Sequence, residues 1–144
     1  MVRNQIHWED VKVGDEIPSL SYDIDWRRIV AQVSGSQDFY PVHYDRDFAK
    51  SGGHAEIFIN TGFTQSLFSR LLTDWVGDEG WLCKLRMEMR RMNRFGDTVV
   101  LKGKVTDKYL KDGKHYVELD VWAENAREGI TTPSKATVTL PSRG

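Results

Sequence analysis

Apolar and polar positions follow two rhythms along this chain, and the change comes near residue 80. "DWRRIVAQVSGS" (25–36) opens on Asp25, a residue suited to cap a helix, and carries Ile29, Val30 and Val33 at helical spacing. Gly35 is placed to end that helix. From Ile57 to Val76 the rhythm is again helical, with Ile59, Phe63, Leu67, Leu71 and Trp75 along one stripe and Phe68 and Leu72 widening it. A helix apolar on more than one face is expected to be buried. Gly77 and Gly80 close it. Beyond that the period becomes two. In "WLCKLRMEMRR" (81–91), Trp81, Cys83, Leu85, Met87 and Met89 alternate with Lys84, Arg86, Glu88 and Arg90. "TVVLKGKVTDKYL" (98–110), the turn "KDGK" and "HYVELDVWAEN" (115–125) predict a long hairpin. "TTPSKATVTL" (131–140) predicts a last strand, and "SLSYDID" near the start a short first one.

One buried helix needs something to wrap it, and a strongly curved antiparallel sheet does so, with hairpin connections that need no crossovers. The pattern therefore predicts an α+β protein of the hotdog kind, a curved antiparallel sheet around one long central helix. No repeat, linker or low-complexity tract divides residues 1–144, so one domain is expected.

Composition excludes several classes. With 40% hydrophobic and 28% charged residues the chain is ordinary for a globular protein. A formal net charge of -1 gives no general electrostatic case for nucleic acid or an anionic membrane. No apolar run approaches the roughly 20 residues of a bilayer span, and the N-terminus lacks the apolar stretch of a signal peptide. A cytoplasmic location is the expectation. Cys83 is the single cysteine, which leaves no internal disulfide and no cysteine-based zinc site.

The candidate chemistry lies in "SGSQDFYPVHYDRDF" (34–48). Pro41 lacks an amide hydrogen and biases Tyr40 towards extended backbone, so no helix runs through and the chain turns between Asp38 and His43. Two readings follow from the spacing. In one, Asp38 caps a turn and His43 is a loop histidine with its hydrogen bonds met. In the other, the two converge on a water, one taking its proton while the other serves a carbon centre. "HYDRD" offers His43, Asp45 and Asp47 but lacks the glycine and distal glutamate of a calcium loop, so no metal is expected. His54, after two glycines, is either a pocket or a surface residue; His7 and His115 are expected to be exposed. Arg86, Arg90, Arg91 and Arg94 form, with Lys84, a basic stretch that suits either a solvated strand face or phosphate oxygens.

The loop "SGSQDFYPVHYDRDFA" resembles the signature of the MaoC-like (R)-specific enoyl-CoA hydratases, D-x-N-P-[LIV]-H followed by a small residue. Asp38, Pro41, Val42 and His43 match in register and Ala49 takes the small position; "SQ" is inserted upstream, after Ser34 and Gly35. "VKVGDEIP", "FTQSLFSRLL" and "RFGDTVVLKGKV" resemble the family's opening, central helix and Gly-Asp turn. The resemblance implies the hotdog fold and reversible addition of water to a trans-2-enoyl-CoA giving a (3R)-hydroxyacyl-CoA. It implies that Asp38 and His43 activate the water, that a backbone amide at Thr61 holds the thioester carbonyl, and that Ser69 supports it. It further implies no cofactor beyond the coenzyme A of the substrate, and a homodimer or a heteromer with a related hotdog chain. Arg86, Arg90, Arg91 and Arg94 become candidate contacts for the CoA phosphates. Two departures bear on the substrate: Tyr40 stands where the signature has asparagine, and "INTGF", with Asn60 and Thr61, stands where the family often has His-Gly. Two alternatives remain, a non-catalytic acyl-CoA-binding subunit of a heteromeric hydratase and an acyl-CoA thioesterase.

Overall fold

A computed structural model describes residues 4–144. Strand β1 (Glu16–Asp23) leads to helix α1 (Trp26–Ser36), a 3-10 turn at Pro41–His43, the short α2 (Arg46–Ser51) and the long α3 (Thr61–Val76). Strands β2 (Trp81–Met87), β3 (Thr98–Lys111), β4 (Lys114–Asn125) and β5 (Gly129–Thr139) follow. The five strands form one antiparallel sheet in the order β1-β3-β4-β5-β2. This is the hotdog architecture.

The β3–β4 hairpin forms because Asp112 and Gly113 both take positive φ, 51° and 73°, the pair of left-handed residues that a tight two-residue turn demands. Along β4 the period of two sends Val117, Leu119, Val121 and Ala123 inward. Against them α3 lays Leu67, Phe68, Leu71, Leu72 and Val76. Burying each of these side chains contributes about 1.5–3 kcal/mol. Gly103 is required where it stands, since a Cβ there would lie 2.9 Å from Ile17 and 3.0 Å from Val121 on the flanking strands.

Several boundaries differ from expectation. The α3 helix starts at Thr61 rather than Ile57, because Asn60 caps it by accepting from Phe63 N–H at 2.7 Å. Residues 57–59 are extended and pair with the segment before β3: Ile59 N–H donates to Asn93 O at 3.1 Å and Phe95 N–H to Ile57 O at 3.0 Å. Nor is α3 buried all round; Gln65, Ser66, Arg70 and Asp74 face outward. Helix α1 runs through Gly35 and ends at Gln37, which takes a left-handed φ of 57°. Its buried stripe is Ile29, Gln32 and Val33, whereas Val30 is exposed. Strand β2 ends at Met87, and a register shift between Leu82 and Lys84 breaks its alternation, leaving Trp81 and Cys83 exposed. Strand β2 also lies at the far edge, beside β5. Residues 88–97 therefore cross the sheet to reach β3, a connection that the hairpin pattern does not contain. His7 and His115 are half-buried rather than exposed, and His115 meets the Trp8 ring at 5.1 Å.

No helix among the described residues is long and apolar enough to cross a membrane.

Candidate active site

Three pieces of chain meet at the head of α3: the end of α1, the 3-10 turn with the residues before it, and the extended strip 57–60. Pro41 sits at the start of the turn, where its fixed φ fits and its missing N–H is no loss, and His43 N–H closes the turn on Tyr40 O at 3.1 Å. This local geometry folds His43 back over Asp38. The His43 Nε2 lies 3.3 Å from Asp38 Oδ2. The imidazole is 9% exposed and the carboxylate 39% exposed, so the carboxylate is the member that solvent and ligands reach.

The other ring nitrogen of His43, Nδ1, lies 2.9 Å from Phe58 O. A carbonyl only accepts, so Nδ1 carries a hydrogen and the tautomer follows from the network. With Nδ1–H spent on Phe58, a hydrogen bond between Nε2 and Asp38 Oδ2 needs one further proton. Nε2 is thus the ring nitrogen through which this geometry lets a proton pass between the histidine and the carboxylate. Asp38 is kept in place by two more donors, Asn60 Nδ2 to Oδ2 at 3.1 Å and Tyr40 N–H to Oδ1 at 3.3 Å.

Asn60 has both amide ends committed: Nδ2 donates to Asp38 and to Ser36 Oγ at 3.1 Å, while its oxygen caps α3. At 5% exposure it enters the site as a tether between the helix start and the carboxylate. Thr61 is the first residue of α3, exposed, and its N–H is one of the first-turn donors that have no carbonyl behind them in the helix. Tyr40 is exposed, with its ring edge-on to His43 at 6.2 Å and to Phe48 at 5.8 Å. His54 packs its ring on Phe58 at 4.8 Å. Ser69 lies further along the same helix. It is two turns further along α3, about 13 Å from Asn60 at the usual rise, and its hydroxyl donates to Gln65 O at 3.0 Å.

The arginines separate. Arg94 bridges Phe58 in the strip that holds His43. Arg86 and Arg90 line an open groove of about 590 Å³ on the outer sheet face with Glu88, Asp120, Trp122 and Lys135, and Arg90 pairs with Glu88 at 3.0 Å. Arg91 is exposed, its N–H donating to Thr131 O at 3.1 Å. Asp45 serves α2 as its cap, accepting from Asp47 and Phe48 N–H at 3.0 and 3.1 Å.

Ser36 and Phe58 do not stand out by residue type, yet Ser36 accepts from Asp38 N–H and Phe58 O from His43 Nδ1–H, while Gln32 bonds to Phe58 O and Asn60 N–H. One signal was available: a glutamine on the buried stripe of α1, where periodicity demands an apolar residue.

A histidine and a carboxylate 3.3 Å apart stand at the head of the central helix of a hotdog domain. Comparison with known proteins gives the family. A model described as a MaoC like domain matches residues 26–126, well over half of the chain, and the chain belongs to that family. It is 33% identical over 94 residues to the 3-oxo-4,17-pregnadiene-20-carboxyl-CoA hydratase beta subunit of Mycobacterium tuberculosis, covering 65% of this chain and 73% of that one. Among solved structures it resembles the ChsH1-ChsH2 complex from Mycobacterium tuberculosis, with TM-score 0.80, 28% identity, and 90% and 98% of the two chains covered. The (R)-hydratase from A. caviae involved in PHA biosynthesis shares the fold at TM-score 0.81 and 24% identity, with 92% and 99% covered.

Proposed function

We propose that this chain is a hydratase that adds water reversibly to a trans-2-enoyl-CoA, giving a (3R)-hydroxyacyl-CoA. The observation that carries the reading is the 3.3 Å contact between His43 Nε2 and Asp38 Oδ2, with Nδ1–H anchored on Phe58. Asp38 takes a proton from water as the water oxygen bonds to C3 and the C2–C3 double bond shifts its electrons to the thioester. The carbonyl oxygen gains enolate charge beside Thr61 N–H, where the α3 dipole favours negative charge. His43, as the imidazolium, then delivers a proton to C2. The proton on Asp38 passes to Nε2 across the same contact and restores the pair, so the sum is one water across one double bond. The stereochemistry is proposed on the resemblance to the (R)-specific hydratases alone.

This chemistry draws on water and two side chains, with the coenzyme A thioester as substrate and no added cofactor. Arg94, opposite Phe58 in the strip that anchors His43 and without an ion pair among the described residues, is the arginine we assign to the CoA phosphates. Arg86, Arg90 and Arg91 are assigned weaker contacts. Tyr40 shapes the acyl side of the site.

A second chain is part of the proposal. Strands β1 and β2 are open sheet edges, and Phe39, Tyr40, Tyr44 and Phe48 crowd exposed around the pair. Open edges and a clustered apolar surface favour association. The beta-subunit relative favours a related hotdog chain as partner over an identical one. In that setting the pair would serve either chain's substrate.

The test is to assay the purified protein, alone and with candidate hotdog partners, against enoyl-CoA thioesters of graded length. Loss of the conjugated thioester absorbance that depends on His43 supports the reading. Free coenzyme A released without hydration favours a thioesterase; binding without turnover favours a non-catalytic subunit.

A further inference from the structure

The groups that hold the pair in place trace back to one buried side chain. Gln32 is 4% exposed, on the same face of α1 as Ile29 and Val33. A buried carboxamide is costly unless its donor and acceptor are both used. Its Oε1 accepts from Asn60 N–H at 2.8 Å, and its Nε2 donates to Phe58 O at 3.5 Å. The orientation is unambiguous, since a backbone N–H must meet the oxygen and a carbonyl must meet the nitrogen.

Phe58 and Asn60 are also the two anchors of the pair. Phe58 O takes the Nδ1–H of His43, and the Asn60 side chain holds Asp38. Between them, Ile59 directs its N–H the other way, to Asn93 O. This is the alternation of an extended strip, which leaves residues 58 and 60 both facing α1. Ser36, four residues on from Gln32, donates to Gln32 O at 2.5 Å and accepts from Asn60 Nδ2 at 3.1 Å and Asp38 N–H at 3.3 Å. One face of α1 therefore grips both anchors and the backbone of Asp38.

We infer that Gln32 is a positioning residue for the Asp38–His43 pair. By spanning Phe58 and Asn60 it sets the separation of the two groups and keeps Phe58 O in place for the Nδ1–H of His43. It touches neither substrate nor the reacting atoms. The inference rests on the proposed hydratase reading for its kinetic consequence, but its structural consequence needs no substrate.

The variant is Gln32→Met, which keeps length and removes both hydrogen bonds. In the folded variant the Nδ1–H signal of isotopically labelled His43 should shift and exchange faster with solvent, as its hydrogen bond to Phe58 O loosens. Turnover should fall about a hundredfold, the cost of small misplacement in a reacting constellation, with KM within about twofold because acyl-CoA contacts are untouched. Gln32→Glu keeps the acceptor for Asn60 and loses the donor to Phe58. It should shift the same signals part of the way, and it carries the test if Gln32→Met does not fold. Unchanged His43 signals in either folded variant overturn the inference, as does an unprotonated Nδ1 in the wild-type protein. Shifted signals in a protein that hydrates no enoyl-CoA would leave Gln32 in its role and remove the hydratase reading instead.

Discussion

The head of α3 and the β2–β5 edge both collect polar side chains, and they treat them in opposite ways. At the head of α3, Gln32, His43 and Asn60 are buried, and each polar end meets at least one identified partner. On the β2–β5 edge, Arg86, Arg90 and Lys135 stand in solvent; Arg90 leans on Glu88 at 3.0 Å and Lys135 on Asp120 at 3.2 Å. Burial explains the difference. A buried donor without an acceptor costs about 1–3 kcal/mol, so the arrangement has little freedom. An exposed ion pair is worth 0–1 kcal/mol and fixes little. Specific geometry is found where the chain has no water to fall back on, and the proposed chemistry is assigned there.

The comparison breaks most sharply at the pair itself. Asp38→Asn and His43→Ala should each leave the fold intact and lower turnover about a hundredfold or more, the range of a positioned acid or base. Steady-state rates on the best substrate check this, and near wild-type turnover in either folded variant removes the pair from the mechanism.

Thr61 sharpens it next. Proline is tolerated at the first position of a helix, and Asn60, with φ −82° and ψ 169°, already has the extended backbone that a following proline requires. Thr61→Pro should thus delete the N–H with little distortion and cost about 3 kcal/mol of transition-state stabilisation, while Thr61→Ala keeps the donor and the rate. Equal rates for the two variants would take Thr61 N–H out of the site.

Asn60 separates holding the helix from holding the carboxylate. Asn60→Ala loses the cap and should lower stability by about 1 kcal/mol. Asn60→Asp keeps a capping oxygen but sets a second carboxylate against Asp38 Oδ2. It should melt near the wild type and still lose turnover, about tenfold or more, for want of one charge-assisted hydrogen bond. Parallel losses in melting temperature and rate for both variants would make Asn60 a cap only.

The smallest effects belong to the edge. Replacing Arg86 and Arg90 together by alanine should change stability by no more than about 0.5 kcal/mol. Arg94→Ala should raise KM several-fold with kcat kept. A larger KM effect at Arg86 and Arg90 would reverse the assignment of the phosphates.

What sequence made visible follows the same division. The period of two in β3 and β4, the Asp112–Gly113 turn and the apolar stripe of α3 announce the fold, because each is a local pattern with a local cause. Pro41 between Asp38 and His43 announces the turn that brings them together. The extended strip 57–59 was hidden because Ile57, Phe58 and Ile59 continue the apolar run of α3, and only pairing with residues 93–95, distant in sequence, makes them strand-like. The bulge at Cys83 was hidden for a similar reason, since alternation in one strand does not reveal the register of its neighbour. Gln32 carried a signal of another kind: a polar residue at a buried helical position is a question about a partner. Its partners, Phe58 and Asn60, are 26 and 28 residues away.

The most direct test of hydration by the Asp38–His43 pair is to run the reaction in heavy-oxygen water, with the wild type and with Asp38→Asn. The label is predicted to enter at C3 of the hydroxyacyl-CoA, with the thioester intact, and its incorporation should fall about a hundredfold in the variant. Label in a released carboxylate, or incorporation at C3 unaffected by Asp38→Asn, would contradict the account.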